Sequence, residues 1–271
     1  MRTGTMAVSI VAFGLALGLT ACSSPSPARP SDPGLTKLTS TARLAYESGS
    51  LDQSIWLYRR ALERARMMND SLEIANNAYN LAACLMLKRQ YEPVRALLGE
   101  AAQELKTIRA PYGDVVLLEA KLLRAMKRWD EASETVDRML PAQGDKAGDA
   151  YRAQYRVFRA QLACDTNDLK TAQSELKKAA SYLKDAIDPS IRAEAANAGG
   201  RIRLLEKKPA MAGVEFDRET GWFQQAGDYS DMADALRRAG DAYRDSGNLI
   251  IASDRYYRAA RSLDAKKGDL M

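Results

Sequence analysis

No histidine occurs anywhere in these 271 residues. Its absence removes imidazole acid–base catalysis, Ser-His and Cys-His nucleophile pairs and His-ligated zinc. Glycine and proline, 17 and 9, are too few for a disordered chain. Charge of one sign is not in large excess. Forty Lys and Arg against 35 Asp and Glu leave +5, or +4 without residues 1–21, where Arg2 is the one charge. The basic residues form no clustered stripe of the kind that nucleic acid requires. Nothing in 36–265 reads as a strand, so no Gly-rich phosphate loop can follow one. The longest apolar run, Met6–Leu19, is 14 residues, short of the roughly 20 that a membrane-spanning helix needs.

What the chain has is a repeat. A small residue recurs at Ala42, Ala82, Ala120, Ala160, Gly200 and Gly240, at intervals of 40, 38, 40, 40 and 40. A second mostly small position reads Ser54, Val94, Ala132, Ala172, Ala212 and Ala252, and a large one Tyr58, Leu98, Val136, Leu176, Phe216 and Tyr256. One register held through six copies implies an all-α solenoid of helix-turn-helix units. Turn residues fall between the paired helices, as at Ser246-Gly247-Asn248 and Asn167-Asp168. Asp70, Asp188 and Asp228 stand where helices start, and Pro189 at a first helical position. Pro141–Gly148 is a breaker-rich link. Gly199-Gly200 lies mid-helix at a cost of about 1 kcal/mol per glycine, which implies close approach of a neighbouring helix or, alternatively, a kink. Cys84 and Cys164 are two repeats apart, roughly 20 Å if each repeat adds one helix diameter. A disulfide needs Cα atoms within about 7 Å, so both are expected free and buried.

The N-terminus is an address. Arg2, the apolar run and Leu19-Thr20-Ala21-Cys22 resemble the signal peptide and lipobox of bacterial lipoproteins. The resemblance implies cleavage after residue 21 and acylation of Cys22, whose two or three chains would anchor the protein stably. Residues 22–35 then form a Pro/Ser-rich tether and 36–271 the solenoid. Ser23, where Asp would resemble an inner-membrane retention signal, points to the periplasmic face of the outer membrane.

The small and large positions resemble the tetratricopeptide repeat, in a form lengthened from 34 to about 40 residues. Repeat five departs from the pattern at Pro209 and Glu219, and repeat three at Met139. The resemblance implies a concave groove lined by first helices. The matching residues are Arg43, Tyr46, Asn76, Tyr79, Lys121 and Arg124, followed by Gln161, Arg201, Arg237 and Arg244. They describe a basic, amide-bearing trough with aromatic walls. Asp114, Glu194, Asp241 and Asp245 stand on the same face. Arg43 occupies the place of the family's clamp Asn, so its carboxylate clamp is not reproduced.

No enzymatic motif survives inspection. Ser174-x-x-Lys177 and Ser181-x-x-Lys184 are isolated matches on a helix, and Asp228, Asp231 and Asp234 read as a cap and an acidic first turn rather than a metal site. The expectation is a scaffold binding envelope proteins, without catalysis, cofactor, metal or nucleic acid. The alternative is a receptor for a small anionic ligand or cell-wall glycan in the same groove. Ile250, Ile251, Tyr257 and Leu263 are expected to lie uncovered on the last helix and to offer a contact for homo-oligomers.

Overall fold

The computed structural model describes residues 32–144, 148–183 and 188–268, with side chains through Ser262. The lipobox and Cys22 lie outside them. The described residues fall into two compact units, 32–108 and 109–268. Every regular element among them is helical.

The first unit holds α1 (Pro33–Glu47), α2 (Leu51–Met67), α3 (Ser71–Leu87) and α4 (Val94–Thr107), each packed on the next. Helix α1 starts three residues before the expected solenoid boundary. Asp32-Pro33 is a cap followed by proline at the first helical position, the same signal as Asp188-Pro189. The Asp32 carboxylate accepts from Leu35 N–H at 2.7 Å and from Arg64 Nε and Nη2 at 2.8 and 2.9 Å. The Arg64 guanidinium, helped by the Leu35 N–H, holds the Asp32 carboxyl down at about 2. Leu35 is buried, so the tether ends inside the fold's first turn.

The second unit holds α5 (Gly113–Ala125), α6 (Trp129–Asp137), α7 (Met139–Gln143), α8 (Asp149–Asp165) and α9 (Leu169–Tyr182). It continues with α10 (Pro189–Leu205), α11 (Pro209–Gln225), α12 (Tyr229–Asp245) and α13 (Leu249–Gly268). The break between α6 and α7 has a local cause. Pro141 lacks an N–H, and its ring would clash with the carbonyl of Asp137, the residue at which α6 ends. Met139 is fully buried in a cluster with Val116, Val136 and Phe158, and Trp129 packs against it.

Among the described residues there are six consecutive helix pairs, and the small positions of the repeat register are buried within them. Ala42, Ala82, Ala120 and Ala160 are all fully buried, as are Ser54, Val94, Ala132, Ala172 and Ala212. Cys84 and Cys164 are free and buried. Burial pushes the Cys84 thiol up to about 11, which keeps it protonated and inert.

Helices end by turning through the left-handed region. Gly49, Gly227 and Gly247 do so at no steric cost, but Arg89, Lys127 and Lys207 also adopt positive φ. At the end of α10, Lys208 N–H bonds Arg203 C=O and Lys207 N–H bonds Leu204 C=O, both at 2.9 Å, the Schellman pattern. Lys207, at φ 59°, stands at the position that favours glycine. Lys207→Gly is expected to raise stability by about 0.5–1 kcal/mol. Thermal unfolding checks this, and a lowered midpoint would show that the lysine side chain matters more than its backbone strain.

Candidate functional site

Three first helices of the second unit, α5, α8 and α10, bring polar side chains together on one face. Lys121 on α5 is only 9% exposed, and its Nζ lies 3.2 Å from Glu194 Oε1 on α10. Arg124, one turn further along α5, pairs with Asp165 at the end of α8 and donates to Gln161 Oε1 at 3.0 Å. Arg201 on α10 also pairs with Asp165 and donates to the Gln161 carbonyl oxygen at 3.2 Å. Gln161 Nε2 reaches the Glu194 carbonyl oxygen at 3.3 Å. The result is a ladder in which α8 is bonded on both sides.

The local chemistry explains its rigidity. Guanidinium–carboxylate bonds are charge-assisted and directional, and Asp165 is shared by two arginines from different repeats. Burial pushes the Asp114 carboxyl up, opposed by the Tyr151 hydroxyl and by Lys121. Glu194 Oε2 is buried with no hydrogen-bond partner among the described residues, so Lys121 alone balances that carboxylate.

Of the ten residues named from the sequence, Lys121, Arg124, Gln161 and Arg201 therefore converge. Arg237 and Arg244 share α12, where both are exposed and engaged locally. Arg237 lies 3.8 Å from Asp234 and 3.6 Å from Asp241. Arg244 pairs with Asp245 at 2.9 Å and Asp241 at 3.3 Å. Arg43, Tyr46, Asn76 and Tyr79 belong to the first unit. Arg43 is exposed beside Glu47 at 3.6 Å, Tyr46 and Tyr79 are half-buried, and Asn76 is exposed. The amide that links first helices there is the adjacent Asn77, fully buried, which accepts from Thr39 Oγ1 at 3.0 Å.

The expectation of a basic trough needs correction in the second unit. Lys121, Arg124 and Arg201 are matched by carboxylates from neighbouring helices and Arg237 and Arg244 by carboxylates of α12 itself, so the face is polar and nearly neutral. Asp165 completes that balance and was missed. It stands four residues after Gln161, on the same helical face, and that spacing was the available signal.

Scans against protein-family models and against curated proteins match nothing. Solved structures do match. RapI in its apo form is 12% identical, with a TM-score of 0.67 over 89% of this chain and 87% of that one. BtubC from P. vanneervenii is 20% identical, with a TM-score of 0.60 over 80% and 92%. A signal-transduction ATPase of the STAND class from Pyrococcus horikoshii, with a tetratricopeptide repeat sensor, is 13% identical. Its TM-score is 0.58 over 86% of this chain and 39% of that one. At these identities the likeness is one of fold. The chain has the tetratricopeptide-repeat fold, an all-α arrangement of consecutive helix pairs.

Proposed function

We propose that this protein is a non-catalytic adaptor, held by lipid on Cys22 at the periplasmic face of the outer membrane, that binds other envelope proteins through its first-helix faces. The observation that carries the reading is the ladder. Side chains from three successive first helices are locked into one pre-ordered polar face, and pre-ordering lowers the entropic cost of binding a partner. Balanced ion pairs suit a protein surface better than a small anion, because Lys121, Arg124 and Arg201 are already engaged. That favours the adaptor over the anionic-ligand receptor. Exposed Arg237 and Arg244 extend the face along α12.

The test is recovery of partners from crosslinked cell envelopes. A specific protein is expected with the native chain and a roughly tenfold loss with Arg237→Glu combined with Arg244→Glu, equivalent to about 1.4 kcal/mol. Recovery of no specific protein would sink the adaptor reading. The anchor is checked separately. Cys22→Ser is expected to abolish acylation and release the protein from membranes with its fold unchanged. Retention after a high-salt wash would count against lipidation.

A further inference from the structure

Helix α2 turns one face of the first unit to solvent. Its buried side chains, Tyr58, Ala61 and Leu62 among them, point into the unit. On the opposite side stand Trp56, Arg60, Glu63 and Met67, all exposed. At 3.6 residues per turn these four fall within about 60° of one another. Trp56 is 57% and Met67 79% exposed. They are about 17 Å apart along the axis at 1.5 Å per residue.

Charge accompanies the two large side chains. Of the arginines on α2, Arg64 is bonded to Asp32 and Arg66 to Glu100, whereas Arg59 and Arg60 have no ion-pair partner among the described residues. The Arg60 guanidinium lies 5.8 Å from the centre of the Trp56 ring. Of the carboxylates on this side, Asp52 is held by Lys88 at 2.9 Å, which leaves Glu63 against two arginines. The chain also enters the fold beside this stripe. Asp32, which caps α1, is bonded by Arg64, and Arg64 lies one turn from Arg60.

The geometry points to the surface of a bilayer carrying anionic phospholipids as what this stripe meets. The inference rests on the anchor at Cys22 proposed above. Nine residues, 23–31, separate that cysteine from Asp32, so lipid on Cys22 keeps Asp32 within about 33 Å of the bilayer at 3.3 Å per residue. Trp56 and Met67 enter the headgroup zone, where an indole places its ring among acyl carbons and keeps its N–H wet. Arg59 and Arg60 donate to lipid phosphates while their stems lie along apolar surface. A protein covering the same stripe would bury Arg60 and Glu63, which lie between Trp56 and Met67, and buried charges are costly unless paired. The headgroup zone is hydrated and leaves both solvated. Docking fixes the first unit in one orientation on its tether.

The experiment has two arms on the full chain. In the first, the acylated protein is reconstituted into phosphatidylethanolamine–phosphatidylglycerol vesicles with brominated acyl chains, and tryptophan emission is read against Trp56→Phe. Trp56 emission is expected to fall by about half or more, since docked side chains reach about 5–10 Å into the boundary between headgroups and acyl chains. Arg59→Gln with Arg60→Gln is expected to remove most of the quenching and to leave the thermal midpoint unchanged, both positions being exposed. In the second arm, Cys22→Ser is sedimented with unbrominated vesicles. It is expected to partition about tenfold better to anionic than to phosphatidylcholine vesicles, and less so as salt rises. Glu63→Gln is expected to raise that partition about threefold. Unquenched Trp56 in a membrane-held chain overturns the proposal and leaves the anchor standing. Quenching that survives the arginine variant, or is equal in brominated phosphatidylcholine, overturns it too. If the native chain carries no lipid, the anchor reading fails and the second arm decides: no preference for anionic vesicles overturns the docking. Shielding of Trp56 from iodide by an envelope extract but not by vesicles assigns the stripe to a protein and overturns it as well.

Discussion

Arg238→Ala is expected to lower stability by about 3–5 kcal/mol, because it strands a buried carboxylate. Glu219 on α11 is 2% exposed. Its oxygens accept from Arg238 Nη2 at 2.6 Å, Arg238 Nε at 3.3 Å and Asn197 Nδ2 at 3.1 Å. Burial raises the carboxyl above its ordinary value, opposed by Arg238 and Asn197. The sign of the pH dependence follows. A carboxyl whose folded pKa is raised stabilises the fold fully below its unfolded value of 4.5, and that stability is lost as pH rises through the folded value. Removing the arginine lifts the folded value further, so the penalty of Arg238→Ala grows from pH 4 to pH 7. Denaturant titrations at both values check it; a penalty independent of pH would mean that lost packing, not stranded charge, is responsible. Glu219→Gln with Arg238→Met, which removes both charges and keeps a partner for Asn197, is expected to recover most of the loss.

Gly200→Ala is expected to destabilise by about 1–2 kcal/mol, the balance of overpacking against the helix propensity that alanine gains. A Cβ built at Gly200 meets the Phe216 ring at 2.7 Å from Cδ1, and Phe216 is almost fully buried. The glycine cost noted in the sequence is thus offset by close approach of α11. The repeats show the complement. In the repeat register alanine is matched with Leu98, Val136 and Leu176 in repeats two, three and four, while glycine faces Phe216 and Tyr256 in repeats five and six. Gly200→Ala with Phe216→Leu copies the pairing of Ala82 with Leu98 and is expected to restore most of the midpoint in thermal unfolding. If the double variant is worse than either single one, the two positions are not a size-matched pair. Repeat one departs from this rule, since Ala42 accompanies Tyr58.

Much of the fold was legible because its determinants are local and periodic. Small residues every 40 positions, Asp caps at 70, 188 and 228, and the turn residues report on contacts within a repeat. The backbone bonds to Asp70, Asp188 and Asp228 stand as expected, at 3.2, 2.8 and 3.0 Å. The start of α1 was read late because residues 23–34, with four prolines, look like a tether, although Asp32-Pro33 is itself a helix start. Exposure on α13 was expected because each repeat buries one face against the next and the last has no following repeat to cover it. Ile250 and Tyr257 are 89% and 66% exposed, with Ile251 less so, while the Leu263 side chain lies outside the described residues.

Sequence alone determined that this chain is helical and that its repeats pair small residues with large ones. Those properties depend on side-chain size and a 3.6-residue period, both written in one dimension. Tertiary structure decided how the first-helix face is charged. Whether Arg124 meets Asp165, or Lys121 meets Glu194, depends on the offset between helices some 40 or 70 residues apart. A shift of one turn, about 5.4 Å, would leave the same residues on the same face with different partners. It also decided that Glu219, at a place where the repeat favours a small side chain, is held in the interior by Arg238 and Asn197. Only the packing of α10, α11 and α12 brings those three together.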